Sequence, residues 1–385
     1  MRRLPKNFLF FAWLLIAPMT WVNAQTVRTE VVASGLQHPW AVAFLPEGRF
    51  LVSERVGNFR VIEANGQMSL ALGGVPKVVA VGQGGLLDVV LDSDFTHNRT
   101  LFFCFSEAGT GGNSTALARA RLSDDRTRLE DVKVIFSQKP KVASSAHFGC
   151  RIVESQQAGK SDGLLFMTLG ERFVRKDDAQ KLDNHLGKII RIYKDGRVPA
   201  DNPFVTRAGA LPEIWSYGHR NPQGATLSPD GTFWTHEHGP QGGDEINLIQ
   251  PGRNYGWPVI TYGENYGGGT MGEGLSAKEG MTQPLHDWVP SIAPSGMAFL
   301  SSARYGAAWR GNLFVGSLKF GYLNRIELSE PFKGSVVREH KLLADLGERI
   351  RDVRQGPDGF LYVLTDNAHG QLIRVVPAQS TGLIN

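Results

Sequence analysis

The stretch NPQGATLSPDGTFWTHEHG, Asn221 to Gly239, reads as strand, turn, strand. Apolar and small positions run up to Ser228, Pro229-Asp230-Gly231 forms a turn, and a second β-rich run closes on His236-Glu237-His238-Gly239. The same pattern recurs along the chain. It appears in HPWAVAFLPEGRFLVSERVGNFRVI (His38 to Ile62), GLLDVVLDSDFTHNRTLFFCFSE (Gly85 to Glu107) and HFGCRIVESQQAGKSDGLLFMTLGE (His147 to Glu171). Two later copies span Pro294 to Leu328 and Arg349 to Val376. Anchored at Trp40, Leu86, Phe148, Pro222, Ser295 and Ile350, the units are unequally spaced, as a repeat with variable insertions would be. A hairpin-rich unit cannot bury its apolar face alone, whereas several side by side can. The expected fold is therefore all-β, a six-bladed β-propeller with one blade per unit. No segment keeps a 3.6-residue period over three turns, which disfavours a helical solenoid. The segment TVRTEVVAS, Thr26 to Ser34, precedes the first unit and is expected to add the outer strand of the last blade, closing the ring.

The chain begins with Arg2, Arg3 and Lys6, continues through apolar Phe8 to Pro18 and reaches the small-residue site Val22-Asn23-Ala24. That order is the pattern of a secretory signal peptide. The expected plan is 1–24 signal peptide and 25–385 a single propeller catalytic domain, periplasmic or secreted. The apolar run is too short, and too broken by Pro18, for stable membrane insertion. Removing the three leader cations takes the formal charge from +4 to +1, so composition gives no support for a nucleic-acid partner. Cys104 and Cys150 are the two cysteines. One disulfide and two buried free thiols fit the sequence equally. Monomer and homodimer both remain open.

In a propeller the first strand of each blade lines the central channel, so polar residues far apart in sequence meet there. Gln83, His147, Arg220, Asn221, Lys319, Arg349 and Arg351 all fall near the start of a unit or in an adjoining loop. His147 is a candidate general base. A lone histidine is more often a surface or satisfied core residue. Glu171, at the end of FMTLGE in the same unit, supplies a group to orient it. Arg220, Lys319, Arg349 and Arg351 direct four cations at one channel, which implies a small ligand with several carboxylates. Salt bridges to Asp345, Glu348 and Asp352 are the competing account. The loop His238 to Glu245 offers the Gly239 and Pro240 carbonyls with the Asp244 and Glu245 carboxylates, an oxygen set suited to calcium. His236 and His238 give only two nitrogen ligands, too few for zinc.

GQGGLLDVVLDSDF, HFGCRIV, YGHRNPQG, EHGPQGGDEIN, NYGWP, GSLK and RIRDVRQGPDG occur in this order over the mature chain. Together they resemble the soluble quinoprotein aldose (glucose/sorbosone-type) dehydrogenases. The resemblance implies a propeller that binds pyrroloquinoline quinone (PQQ) with calcium and oxidises aldose sugars at C1 to the lactone, passing electrons to an external acceptor. It implies His147, Arg220 and Glu171 as the catalytic group. Gln83, Arg220, Asn221, His238, Asp244, Lys319, Arg349 and Arg351 would form the cofactor site, with Asp244 supporting its loop. Gly239 and Pro240 carbonyls would bind the calcium that touches PQQ, and Glu245 with the Tyr255 carbonyl a further calcium. The chain departs from the family pattern at Ala146, where some relatives carry aspartate, and at His238, where the best-known ones carry glutamine. Two other readings compete: a calcium-dependent propeller lactonase, which needs no cationic channel, and a non-catalytic glycan- or protein-binding propeller, which needs no base.

Overall fold

The structure, a computed structural model, describes residues 27–157 and 159–378; the signal peptide expected at 1–24 lies outside them. Six antiparallel sheets follow one another around a central axis as a six-bladed β-propeller. Their innermost strands are Pro39–Leu45, Leu86–Leu91, Gly149–Gln157, Pro222–Leu227, Pro294–Phe299 and Ile350–Gln355. Each starts within two residues of an anchor read from the sequence repeat. The ring closes as expected, for Val27–Leu36 pairs antiparallel with Gly370–Pro377 and becomes the outer strand of the last blade. The first and last strands of the described residues thus share one sheet, and Val27–Leu36 covers the edge that Gly370–Pro377 would otherwise expose. The core lies between blade faces. Phe59 of blade one, Phe103 of blade two and Met167 of blade three belong to one buried cluster. Cys104 and Cys150 form a disulfide, with Cα atoms 6.0 Å apart, joining blade two to the inner strand of blade three.

One irregularity repeats. At the start of each inner strand the pairing with its neighbour slips, as between Pro39 and Ala41, Pro222 and Gly224, and Ile350 and Asp352. A bulge of this kind inserts a residue that faces away from the ladder and re-aims its side chain. The residues skipped are Trp40, Gln223 and Arg351, and all three line a cavity of about 560 Å³ at that end of the channel.

Further along the channel a charged layer fills it. The Arg151 guanidinium lies 3.4 Å from Asp88 and 2.8 Å from Asp352, and Arg354 reaches the same two carboxylates at 2.6 and 3.1 Å. Two cations meet two anions, so the layer is neutral as a whole. Beyond it the later ends of the inner strands, among them Val42, Val89, Ala225 and Met297, line a second cavity of about 650 Å³ at the opposite mouth.

Candidate active site

His147 sits directly before the inner strand of blade three, with φ +53. A non-glycine residue in this left-handed region persists only where its surroundings fix it. Here Gln83 Oε1 accepts the His147 N–H at 2.8 Å, and Asn221 Oδ1 accepts the Gly149 N–H at 3.1 Å. The imidazole is 4% exposed, and its Nδ1 lies 3.1 Å from Glu171 Oε1. Nδ1 donates to the carboxylate, which leaves Nε2 as the lone-pair nitrogen, with no hydrogen-bond partner among the described residues. Burial lowers the imidazole pKa below its ordinary value; the Glu171 hydrogen bond opposes this, and the Arg220 and Arg172 charges add to it. A neutral, oriented imidazole with a free Nε2 is what a general base requires.

The 560 Å³ cavity beside it is lined by Arg55, Arg349 and Arg351, with Asp366 the one carboxylate among its lining residues. Arg351 and Arg349 both pair with Asp366. Burial raises the Asp366 pKa, yet Arg351, Arg349 and Arg55 outweigh it and hold the carboxyl below the usual range. The cations still outnumber the anion. The Nε atoms of Arg55, Arg220 and Arg351 are buried without a hydrogen-bond partner among the described residues. Of these, Arg55 and Arg351 line the cavity, and orphaned guanidinium donors at an under-neutralised cavity fit a ligand bearing several carboxylates. Lys319 does not line this cavity. It lines an adjoining one of about 480 Å³ and makes no salt bridge among the described residues. Arg220 lines neither of these two spaces but a smaller one with Glu237, Gly239 and Glu245, bonded through Nη1 to the His238 carbonyl at 3.1 Å and lying 5.2 Å over the Trp257 ring.

The His238–Glu245 loop is braced by Asp244. Its carboxylate accepts from Gly239 N–H, Ser291 Oγ, Ile292 N–H and Ala293 N–H at 2.7–2.9 Å. Both Asp244 oxygens are thus engaged by the protein, as a residue that supports this loop would be. Gly239 tolerates no side chain, because a Cβ there would stand 2.2 Å from the Gly242 carbonyl oxygen. His238 bonds through Nε2 to the Pro294 carbonyl at 2.8 Å and lines both the cationic cavity and its neighbour. Burial lowers its pKa well below the ordinary histidine value.

Behind the loop, Glu245 and Glu237 share the Asn247 amide at 3.2 Å each. Burial and then the Glu237 charge raise the Glu245 pKa well above the carboxylate range. Tyr255 turns its hydroxyl away, to the Leu248 carbonyl at 2.6 Å. Among the described residues no N–H donates to the carbonyls of Gly239, Pro240 or Tyr255. Buried carbonyls are almost always paired; Gly239 and Tyr255 line one small space with Glu237 and Glu245, oxygen donors of the kind a hard cation takes, whereas Pro240 lines the 480 Å³ cavity. No group of three or more His, Cys, Asp or Glu side chains placed to hold a metal ion converges among the described residues, at this loop or elsewhere.

Sequence reasoning missed Arg55, Asp366 and Glu237. The signal for the first two was in the repeat. The first or second residue after the second strand of a blade recurs at this end of the channel: Arg55, Glu171, His238, Lys319 and Asp366 hold these places in blades one, three, four, five and six, and all but Glu171 line one of the two cavities.

A model of the Glucose / Sorbosone dehydrogenase family matches residues 36–374. The chain belongs to that family. It is 44% identical to aldose sugar dehydrogenase YliI of Escherichia coli over 97% of this chain and 99% of that protein. The crystal structure of the soluble E. coli aldose sugar dehydrogenase in the apo-form superposes with a TM-score of 0.86 at 44% identity, covering 92% of this chain and all of that one. The PQQ-bound aldose sugar dehydrogenase of Streptomyces coelicolor superposes with a TM-score of 0.73 at 27% identity, over 91% of this chain and 98% of that one. Membership in the glucose/sorbosone dehydrogenase family makes the chain a sugar oxidoreductase. No helix of the described residues is long and apolar enough to cross a membrane.

Proposed function

We propose that the protein is an exported, PQQ- and calcium-dependent aldose dehydrogenase that oxidises C1 of the sugar to the lactone and hands electrons to an external acceptor. The observation that carries this reading is the pairing of an oriented, neutral His147 with a cationic cavity whose guanidinium donors lack partners. Arg55, Arg349 and Arg351, with Lys319 from the adjoining space, would hold the cofactor's carboxylates. Arg220 and Asn221 would face its reactive edge, and the Gly239 and Pro240 carbonyls would hold calcium beside it. Bound PQQ supplies acceptance of the hydride that leaves C1.

The chain's own residues do the rest. His147 Nε2 takes the proton of the anomeric hydroxyl, so the C–H and O–H hydrogens leave as hydride and proton and a C1=O bond forms. Glu171 holds Nδ1–H and stabilises the imidazolium. Arg220 places a fixed positive charge where negative charge develops. The lactonase reading gives no role to the cavity cations, and the binding-module reading gives none to His147.

Reconstitution of the purified protein with PQQ and calcium, followed by assay on aldoses with a dye acceptor, tests the reading. Tight PQQ binding with reduction of the bound cofactor by sugar is expected, and absence of PQQ binding overturns the proposal. Lys319→Ala removes one charge-assisted contact from an exposed side chain. It should weaken PQQ binding by about tenfold to a hundredfold with unchanged Tm. Glu245→Gln removes one of the two repelling carboxylates. Calcium should raise the Tm of the wild type, and the variant should need at least about tenfold more of it for the same rise. Equal calcium responses in both proteins would exclude Glu245 as a ligand.

A further inference from the structure

We propose that Phe173 and Tyr266 together form the aromatic side of the cleft that seats the pyranose ring of the substrate over His147. The inference rests on the sugar dehydrogenase reading and adds to it the residues that grip the sugar. Arg172 and Phe173 follow Glu171 with φ +68 and +63, both left-handed and neither glycine. Arg172 anchors the turn, for its fully buried guanidinium donates to Ala146 O, Asn113 O and Ser144 O at 2.6–2.9 Å and lies 3.8 Å over the Phe148 ring. The Phe173 N–H donates to Glu171 Oε2, the second oxygen of the carboxylate that orients His147. The turn is thus built into the base, and its outcome is a phenyl ring left 49% exposed.

That ring stands edge-to-face with the His147 imidazole, with centroids 5.3 Å apart at 82°. Beside it is Tyr266, 61% exposed, its ring centroid 6.3 Å from that of Phe173 at 38°, so the two rings touch and present one aromatic surface. The Tyr266 hydroxyl accepts a hydrogen bond from Arg220 Nη2 at 3.1 Å, so this ring is tied to the other charged member of the site. The two rings, held about half exposed by a strained turn and by the Arg220 guanidinium, pack on each other and on His147 yet leave a contiguous aromatic surface that a ligand can cover. A pyranose with equatorial hydroxyls presents axial C–H groups on its two faces, and the electron-rich face of an aromatic ring attracts them. The substrate class is therefore a pyranose with an uninterrupted C–H face, its anomeric hydroxyl directed at Nε2.

Phe173→Ala and Tyr266→Ala in the PQQ- and calcium-loaded enzyme should each raise the KM for glucose about tenfold. The kcat at saturating sugar should stay within about threefold, and PQQ affinity should not change. Phe173→Tyr should restore KM, whereas Phe173→Leu, which keeps apolar bulk without a π face, should not. Saturation-transfer NMR with 1,5-anhydro-D-glucitol, a glucose analogue without the anomeric hydroxyl, should place its ring C–H groups on aromatic protons of the wild type and lose that transfer in Phe173→Ala. Wild-type KM in Phe173→Leu overturns the stacking role. A rise in KM for the dye acceptor with none for the sugar overturns the cleft and assigns the rings to the acceptor. A wild type that does not bind PQQ refutes the dehydrogenase reading instead, and the analogue's contacts still judge the cleft.

Discussion

His147→Ala is expected to lower kcat by about a thousandfold while leaving PQQ affinity and Tm close to wild type. Among the described residues the imidazole bonds only through Nδ1, to Glu171, and its backbone N–H bond to Gln83 survives the substitution. Glu171→Gln should cost about a hundredfold, because an amide no longer dictates which ring nitrogen carries the proton. The pH dependence separates this mechanism from a merely structural histidine. Burial lowers the His147 pKa, so the base stays unprotonated at pH values where a free histidine is already charged. The acid limb of kcat/KM should accordingly fall below the ordinary value of about 6.5. The Glu171 hydrogen bond raises the pKa against burial, so its removal should move that limb further toward acid even as the rate drops. Stability changes in the same pH range. Between the lowered folded value and the ordinary one the unfolded chain binds more protons, so stability is full above that window and declines as pH falls through it. A His147→Ala enzyme within tenfold of wild type would remove the general base from the mechanism.

The repeat made the fold legible. Pro-Asp-Gly turns and alternating apolar runs marked six inner strands to within two residues, and Thr26 to Ser34 was recognisable as a strand in search of a partner. The site was legible in its charged residues: His147 and Glu171 do meet, and Arg349 and Arg351 do share a cavity. Other features could not be read from the sequence, for physical reasons. A bulge has no composition of its own, so nothing in Pro39-Trp40-Ala41 announces that Trp40 leaves the ladder to face the cavity. The sequence equally left the cysteines open, since their pairing depends on two blades meeting. Asp244 looked like a ligand because an acidic residue in a glycine-rich loop does; only the positions of Ser291, Ile292 and Ala293 reveal where its oxygens are used. The salt bridges weighed against the functional reading of Arg351 exist in altered form, with Asp366 in place of the neighbouring Asp352.

Arg151→Met should be the most destabilising single change in the channel, at about 3–5 kcal/mol, seen as a fall in Tm of about 5 °C. Arg151 is 2% exposed and is ion-paired with both Asp88 and Asp352, which are fully buried. Burial alone would raise the Asp352 pKa, but Arg151 and Arg354 together hold it below the carboxylate range. With Arg151 gone, Arg354 alone must compensate two buried anions, and the channel layer carries an uncompensated negative charge in a low-dielectric setting. The loss should also reach the active site. Arg151 Nη2 donates to the Arg351 carbonyl at 3.2 Å and Nε to the Gln223 carbonyl at 2.7 Å, and these are the two bulge residues whose side chains line the cationic cavity. PQQ affinity should therefore fall with stability, although Arg151 itself does not line that cavity. The double variant Asp88→Asn, Arg151→Met removes one charge of each sign and leaves Arg354 with Asp352 as a neutral pair. It should recover a substantial part of the lost Tm, because an unpaired buried charge costs more than an absent ion pair. If the single variant is as stable as wild type, or the double variant is no better than the single, then water reaches this layer and charge balance does not hold the two halves of the channel apart.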